Sequence, residues 1–82
     1  MNTYYYVYIL ESTSKPGSFY TGYTRNIESR LIKHNEGGCP HTTKLKPWRV
    51  KNYFAFDSEI KAVKFEQYLK SGSGREFARR HF

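Results

Sequence analysis

Residues 19–35 read FYTGYTRNIESRLIKHN, and the pattern changes once along the stretch. Phe19 to Tyr23 is aromatic and Thr-containing, the composition of a strand. Asn26 then offers a short side chain that accepts from first-turn backbone N–H groups, a good N-cap for a helix from Ile27 to about Asn35. Gly37 and Gly38 follow and stop it. Upstream, Tyr4 to Leu10 (YYYVYIL) reads as a strand covered on both faces, and the turn cluster Ser12 to Gly17 joins it to the second strand as a hairpin. Downstream, His41 to Pro47 is a basic loop and Trp48 to Phe56 (WRVKNYFAF) a third strand. Asp57 or Ser58 caps a helix to about Lys70. Ser71 to Gly74 breaks that helix, and Ser73 with Glu76 forms a capping-box pattern for a last one. The order β-β-α-β-α-α predicts an α/β fold, a small three-stranded antiparallel sheet flanked by helices, as a single domain over residues 1–82.

Composition bounds what such a domain can be. Aromatic residues make up 18% of the 82, enough to fill a small core although the hydrophobic share is only 38%. The formal charge is +7, and it is concentrated in residues 25–51. There Arg25, Arg30, Lys33, Lys44, Lys46, Arg49 and Lys51 face only Glu28 and Glu36. A field of that sign attracts phosphate polyanions, so the middle third is expected to meet nucleic acid, with Arg25, Lys33, Lys44, Lys46 and Arg49 as contacts. Cys39 is the only cysteine, which excludes an internal disulfide. With no signal-like segment, spanning stretch or basic amphipathic helix, the expectation is a cytoplasmic protein without a membrane partner.

Strand parity places Tyr6, Tyr8 and Leu10 on one face and Val7 and Ile9 on the other. If Tyr8 pairs with Tyr20, Leu10 faces Ser18 and the loop is Thr13 to Lys15. Two phenols side by side are either chemistry or an aromatic pair that packs the sheet. On the first helix Arg30 and His34 lie one turn apart, about 40° around the axis, at the border of the stripe formed by Ile27 and Leu31. Arg30 is then either a phosphate clamp or a side chain snorkelling over the core. On the second helix Glu66 falls among Ala62, Val63 and Leu69. A buried carboxylate needs a metal, a polar pocket or a cationic partner, Arg30 or a Lys. His34, Cys39 and His41 are too few and too loosely spaced for structural zinc.

Taken together, these residues resemble the GIY-YIG nuclease motif. Tyr6, Val7 and Tyr8 stand where its first triplet belongs. Tyr20, Thr21 and Gly22 stand for its second, with Arg30 and His34 at the spacings that follow and Glu66 on a late helix. The likeness runs from about Tyr5 to Leu69 and is similar to small stand-alone bacterial members. Tyr6, Val7 and Thr21 depart from the usual triplets at positions that shape or pack the sheet. The resemblance implies a DNA endonuclease that hydrolyses phosphodiesters with one Mg²⁺ or Mn²⁺. Tyr8 would be general base or water positioner, and Tyr20 would hydrogen-bond the scissile phosphate or the water. Arg30 would neutralise charge on the phosphate, and His34 would help proton transfer or hold the phosphate. Glu66 would bind the metal. The rival of a different class is a non-catalytic nucleic-acid-binding module. No DNA-reading motif is present, so sequence specificity would need a protein partner or a homodimer.

Phosphate-dominated binding predicts an affinity for nucleic acid that falls steeply with salt. Changing Lys44 and Lys46 to Ala should reduce the slope of log affinity against log salt by about 0.7 to 0.9 per lysine that contacts a phosphate. A salt-independent affinity would contradict it.

Overall fold

The computed structural model describes residues 4–82. Strands β1 (Tyr5–Ser12) and β2 (Phe19–Thr24) are followed by helix α1 (Ile27–Asn35) and a 3₁₀ turn (Thr43–Leu45). Strand β3 (Trp48–Phe56) and helices α2 (Glu59–Lys70) and α3 (Gly72–His81) complete the order. The sheet is antiparallel, in the order β2-β1-β3. The central position of β1 explains its unbroken apolar run, because Val7, Tyr8, Ile9 and Leu10 are all buried. Val7 and Ile9 pack with Ala62 and Leu69 of α2, walled by Phe54, Phe65 and Phe77. Tyr8 and Leu10 point to the opposite face, where Trp48, Leu31 and Leu45 close over them. The sheet therefore separates two cores, and Tyr8 belongs to the α1 side.

The helices start where short polar side chains can cap them. The Asn26 carboxamide oxygen accepts from the Ser29 N–H at 3.0 Å, and the Ser58 hydroxyl accepts from the Lys61 N–H at 3.4 Å. The last helix differs from the sequence reading. Its cap is Ser71, not Ser73: Ser71 Oγ accepts from the Gly74 N–H at 3.1 Å and donates to the Tyr68 carbonyl at 2.6 Å. Residues 71–74 are thus a one-residue corner and not a four-residue break. Gly74 fits because a Cβ there would run into the Tyr68 carbonyl. Glu76 is not part of a capping box; it holds Arg79.

The hairpin register also corrects an expectation. Tyr8 lies opposite Gly22, and Tyr20 lies opposite Leu10. The two tyrosines share a face as parity required, but diagonally. The Ser12 N–H reaches the Ser18 carbonyl at 2.9 Å, so five residues turn the hairpin, with Gly17 at φ 92°. Gly22 decides the register. A Cβ at that position would stand 2.6 Å from Tyr8 Oη and 2.8 Å from its Cζ, so only glycine leaves room for the phenol to lie across β2.

Gly22→Ala should therefore push the Tyr8 ring out of place and cost about 1–3 kcal/mol, as overpacking does. Chemical denaturation checks this, and an unchanged midpoint would show that the ring has slack.

Candidate active site

The site grows from the buried end of the Tyr8 side chain. Gly22 lets the ring cross β2, and α1 delivers His34 above it; both residues are 1% exposed. Tyr8 Oη lies 3.2 Å from His34 Nε2, and His34 Nδ1 lies 2.8 Å from Thr42 Oγ1. The Thr42 hydroxyl donates to the Cys39 carbonyl at 3.2 Å. A carbonyl only accepts, so the threonine proton points to Cys39 and its oxygen is free to accept from Nδ1–H. Nε2 then carries the lone pair and the phenol donates to it. The chain of donors runs one way, from Tyr8 through His34 and Thr42 to a backbone carbonyl.

The loop that supplies Thr42 is itself held by side chains. Trp48 Nε1–H donates to the Thr42 carbonyl at 2.8 Å. Asn35, at the end of α1, accepts from the Trp48 N–H at 2.6 Å and donates to the Trp48 carbonyl at 3.1 Å. Ser12 at the end of β1 donates to the Leu45 carbonyl at 2.6 Å. Thr42 is thus fixed by residues of α1, β1 and β3.

Burial sets the charge state of this chain. It pushes the Tyr8 phenol up to about 12, with the Arg30 guanidinium beside it pulling the other way. Burial also lowers His34, and the positive charges of Arg30 and Lys33 lower it further. At neutral pH the chain holds a protonated phenol and an uncharged imidazole.

The charged groups stand at the rim. The Tyr20 ring centroid lies 5.0 Å from that of His34 and 6.5 Å from that of Tyr8. Lys70 Nζ sits 5.8 Å from the Tyr20 ring and 2.9 Å from Glu66 Oε2, which brings the Glu66 carboxylate to the β2 edge. Among the described residues no carboxylate pairs with Arg30. The structure therefore brings together Tyr8, Tyr20, Arg30 and His34, with Glu66 beside Tyr20 through Lys70. Glu66 is largely buried, its side chain 15% exposed, as its helical phase indicated. Ala62 and Leu69 are buried on that face, Ile60 is 68% exposed, and of the two cationic partners open to Glu66 the structure has a lysine, Lys70.

The other basic residues do not form one patch, although Lys33 and Lys46 both lie against the Gly37–Gly38 pair. Arg25 stacks on Tyr5 near one end of β1, and Arg49 pairs with Glu11 near the other. Lys33 lies in the last turn of α1, Lys44 within the 3₁₀ turn and Lys46 at its C-terminal end. Sequence reasoning missed Gly22 as a spacer, Thr42 as the partner of His34, and Lys70. A glycine inside a strand is a usable signal of close approach. Nothing local marked Thr42 or Lys70.

Among the described residues no three His, Cys, Asp or Glu side chains converge, which removes the zinc option at His34, Cys39 and His41. A single carboxylate does suit Mg²⁺, which keeps its waters and takes further ligands from phosphate. Glu66 is such a single carboxylate, paired here with the half-exposed Lys70.

Comparison with known proteins gives a consistent result. The family model described as the GIY-YIG catalytic domain matches residues 4–80. A UPF0213 protein of Haloquadratum walsbyi is 39% identical over 72 residues, covering 87% of this chain and 79% of the relative. One from Staphylococcus saprophyticus is 40% identical over 70 residues, covering 84% and 83%. The solution NMR structure of a UPF0213 protein from Bacillus halodurans superposes with TM-score 0.56 at 38% identity, covering 93% of this chain and 80% of that one.

Two outcomes follow for the buried chain. With the folded pKa of His34 lowered from 6.5, the unfolded state binds more protons just below that value. The stability this contributes is full above pH 6.5 and declines as pH falls from 6.5 to the lowered folded value. Urea midpoints measured across pH 5 to 7.5 should show the decline, and His34→Gln should flatten it. Thr42→Val keeps the shape but strands the Nδ1–H, at a cost of about 1–3 kcal/mol, while Thr42→Ser should cost far less. Equal midpoints for the Val and Ser variants would contradict this assignment.

Proposed function

The chain belongs to the GIY-YIG catalytic domain family, and from that premise we propose that it is a divalent-metal-dependent endonuclease that hydrolyses phosphodiester bonds in DNA. The observation that carries the reading is the convergence of a buried Tyr8–His34 pair with an Arg30 that no described carboxylate neutralises. A core needs neither a proton acceptor behind a phenol nor an arginine without a carboxylate beside it.

The proposed division of labour follows the charge map. Arg30 clamps a non-bridging phosphate oxygen with its forked donors, and the Tyr20 hydroxyl supports the same phosphate from the rim. Tyr8 takes the proton of the attacking water as its own proton passes to His34 Nε2. The water oxygen bonds to phosphorus, the bond to the leaving strand breaks, and the leaving oxygen collects a proton from solvent. Direct transfer from Tyr8 to His34 is uphill in the free protein, because the phenol holds its proton to about 12 and the imidazole is depressed. A bound phosphate changes this balance, since its negative charge offsets Arg30 and favours an imidazolium. Thr42 keeps Nε2 as the acceptor. Glu66 would hold the Mg²⁺ or Mn²⁺, which when bound neutralises charge on the phosphate and lowers the pKa of nearby water. With a metal on Glu66, Lys70 would be available as a further phosphate contact; without one it stays paired to Glu66.

The test uses labelled duplex, flap and single-stranded DNA and RNA with Mg²⁺, Mn²⁺ or chelator. Tyr8→Phe should lower turnover about a hundredfold or more while nucleic-acid affinity holds. Glu66→Gln should abolish metal-dependent cleavage and change stability by only about 0.5 kcal/mol, the scale of an i,i+4 ion pair. Cleavage unaffected by both changes would refute the assignment. Binding without cleavage under every condition would favour a non-catalytic module.

A further inference from the structure

A second concavity lies on the other side of the β2 edge, between that strand and helices α2 and α3. Its volume is about 610 Å³, within the range that holds a small organic ligand. Phe19, Leu69 and Ala78 give it an apolar surface, and Lys51, Lys70, Arg75 and Arg79 bring four positive charges around it. Tyr20 and Lys70 line it too, so it is continuous with the candidate active site. The nuclease mechanism uses none of Phe19, Lys51 or Arg75.

We propose that this groove binds an unpaired nucleotide of the strand whose phosphate sits at Arg30, and so gives the protein a preference for single-stranded nucleic acid. The inference rests on the nuclease reading for the position of that phosphate. Phe19 is 52% exposed although it is a large aromatic on a short edge strand, and the Lys51 ammonium lies 5.4 Å from its ring centroid. A half-exposed aromatic ring with a cation over it is a pairing that single-strand binders use, the ring for a base and the cation for the adjoining phosphate. Bases in a duplex are stacked on one another, so an intact duplex cannot offer a base to Phe19. The available charge also fits a polyanion. Arg79 is committed to Glu76 and Lys70 to Glu66, but among the described residues neither Lys51 nor Arg75 forms an ion pair.

The test is fluorescence anisotropy on the full chain in chelator, where binding is read without cleavage. The probes are a labelled 12-nucleotide single strand, its blunt duplex and an acidic peptide containing tyrosine. Phe19→Ala should weaken single-strand binding by about fivefold or more and leave duplex binding within about twofold; its half-exposed ring can be removed without opening the core, and circular dichroism checks that the fold holds. Phe19→Trp should retain single-strand affinity. The pair Lys51→Ala with Arg75→Ala should reduce the single-strand salt slope by about 1.4, at roughly 0.7 for each phosphate no longer neutralised. Unchanged single-strand affinity in Phe19→Ala, an equal weakening on duplex, or tighter binding of the peptide than of the strand would each overturn the proposal. The nuclease reading fails separately: a wild-type protein that cleaves nothing yet loses single-strand binding with Phe19→Ala would keep the groove and discard the hydrolysis.

Discussion

The hydrogen bond between the Tyr8 hydroxyl and His34 Nε2 is the constraint around which the α1 side of this molecule is arranged. Two polar groups at 1% exposure must be satisfied inside the fold, because a buried donor or acceptor left unpaired costs about 1–3 kcal/mol. Gly22 gives up its side chain so that the phenol can reach its partner. Thr42 is brought to the far ring nitrogen by a loop that hydrogen-bonds to Trp48, Asn35 and Ser12. Leu45 anchors the loop in the core, and the rest of its attachment is to the polar groups it meets.

This arrangement separates a neutral interior from a charged rim. Inside are the phenol, the imidazole and a threonine hydroxyl, each uncharged in the free protein. At the rim stand Arg30 and the half-exposed Lys70, which pairs with the largely buried Glu66. Charges left partly in water are inexpensive to hold apart and respond strongly to a bound polyanion. A proton relay prepared in the neutral state and biased by phosphate binding is what such a partition would supply to the proposed hydrolysis. The same edge strand carries Tyr20 towards the relay and Phe19 and Thr21 towards the second groove, because successive side chains of a strand point to opposite faces.

Much of the fold was legible in the sequence because its signals are local. Asn26 and the Gly37–Gly38 pair bracket α1 at Ile27–Asn35, and the third strand runs Trp48–Phe56 as its composition indicated. Strand parity put Tyr8 and Tyr20 on one face. It could not supply the offset between them, since a shift of two residues preserves parity and only the missing Cβ of Gly22 separates the two registers. The second helix was harder for a related reason. Helical phase ranks faces but does not choose among the partners that neighbouring residues can bring, so it left Arg30 and a lysine open where the structure has Lys70. Thr42 was beyond a local reading. Its role depends on a loop that folds back through Trp48 and Asn35, thirteen residues apart in the chain, and no periodicity encodes that contact.

The arrangement is tested most directly by nitrogen-15 NMR of the histidine ring in uniformly labelled protein, with His34 assigned by comparison with His34→Gln. The expected result is an uncharged ring at pH 7 with its proton on Nδ1 and an acceptor-type shift at Nε2, persisting below pH 6.5, the ordinary histidine value. A ring protonated on Nε2, or an imidazolium at pH 7, would contradict it, because Tyr8 would then have no acceptor for its proton.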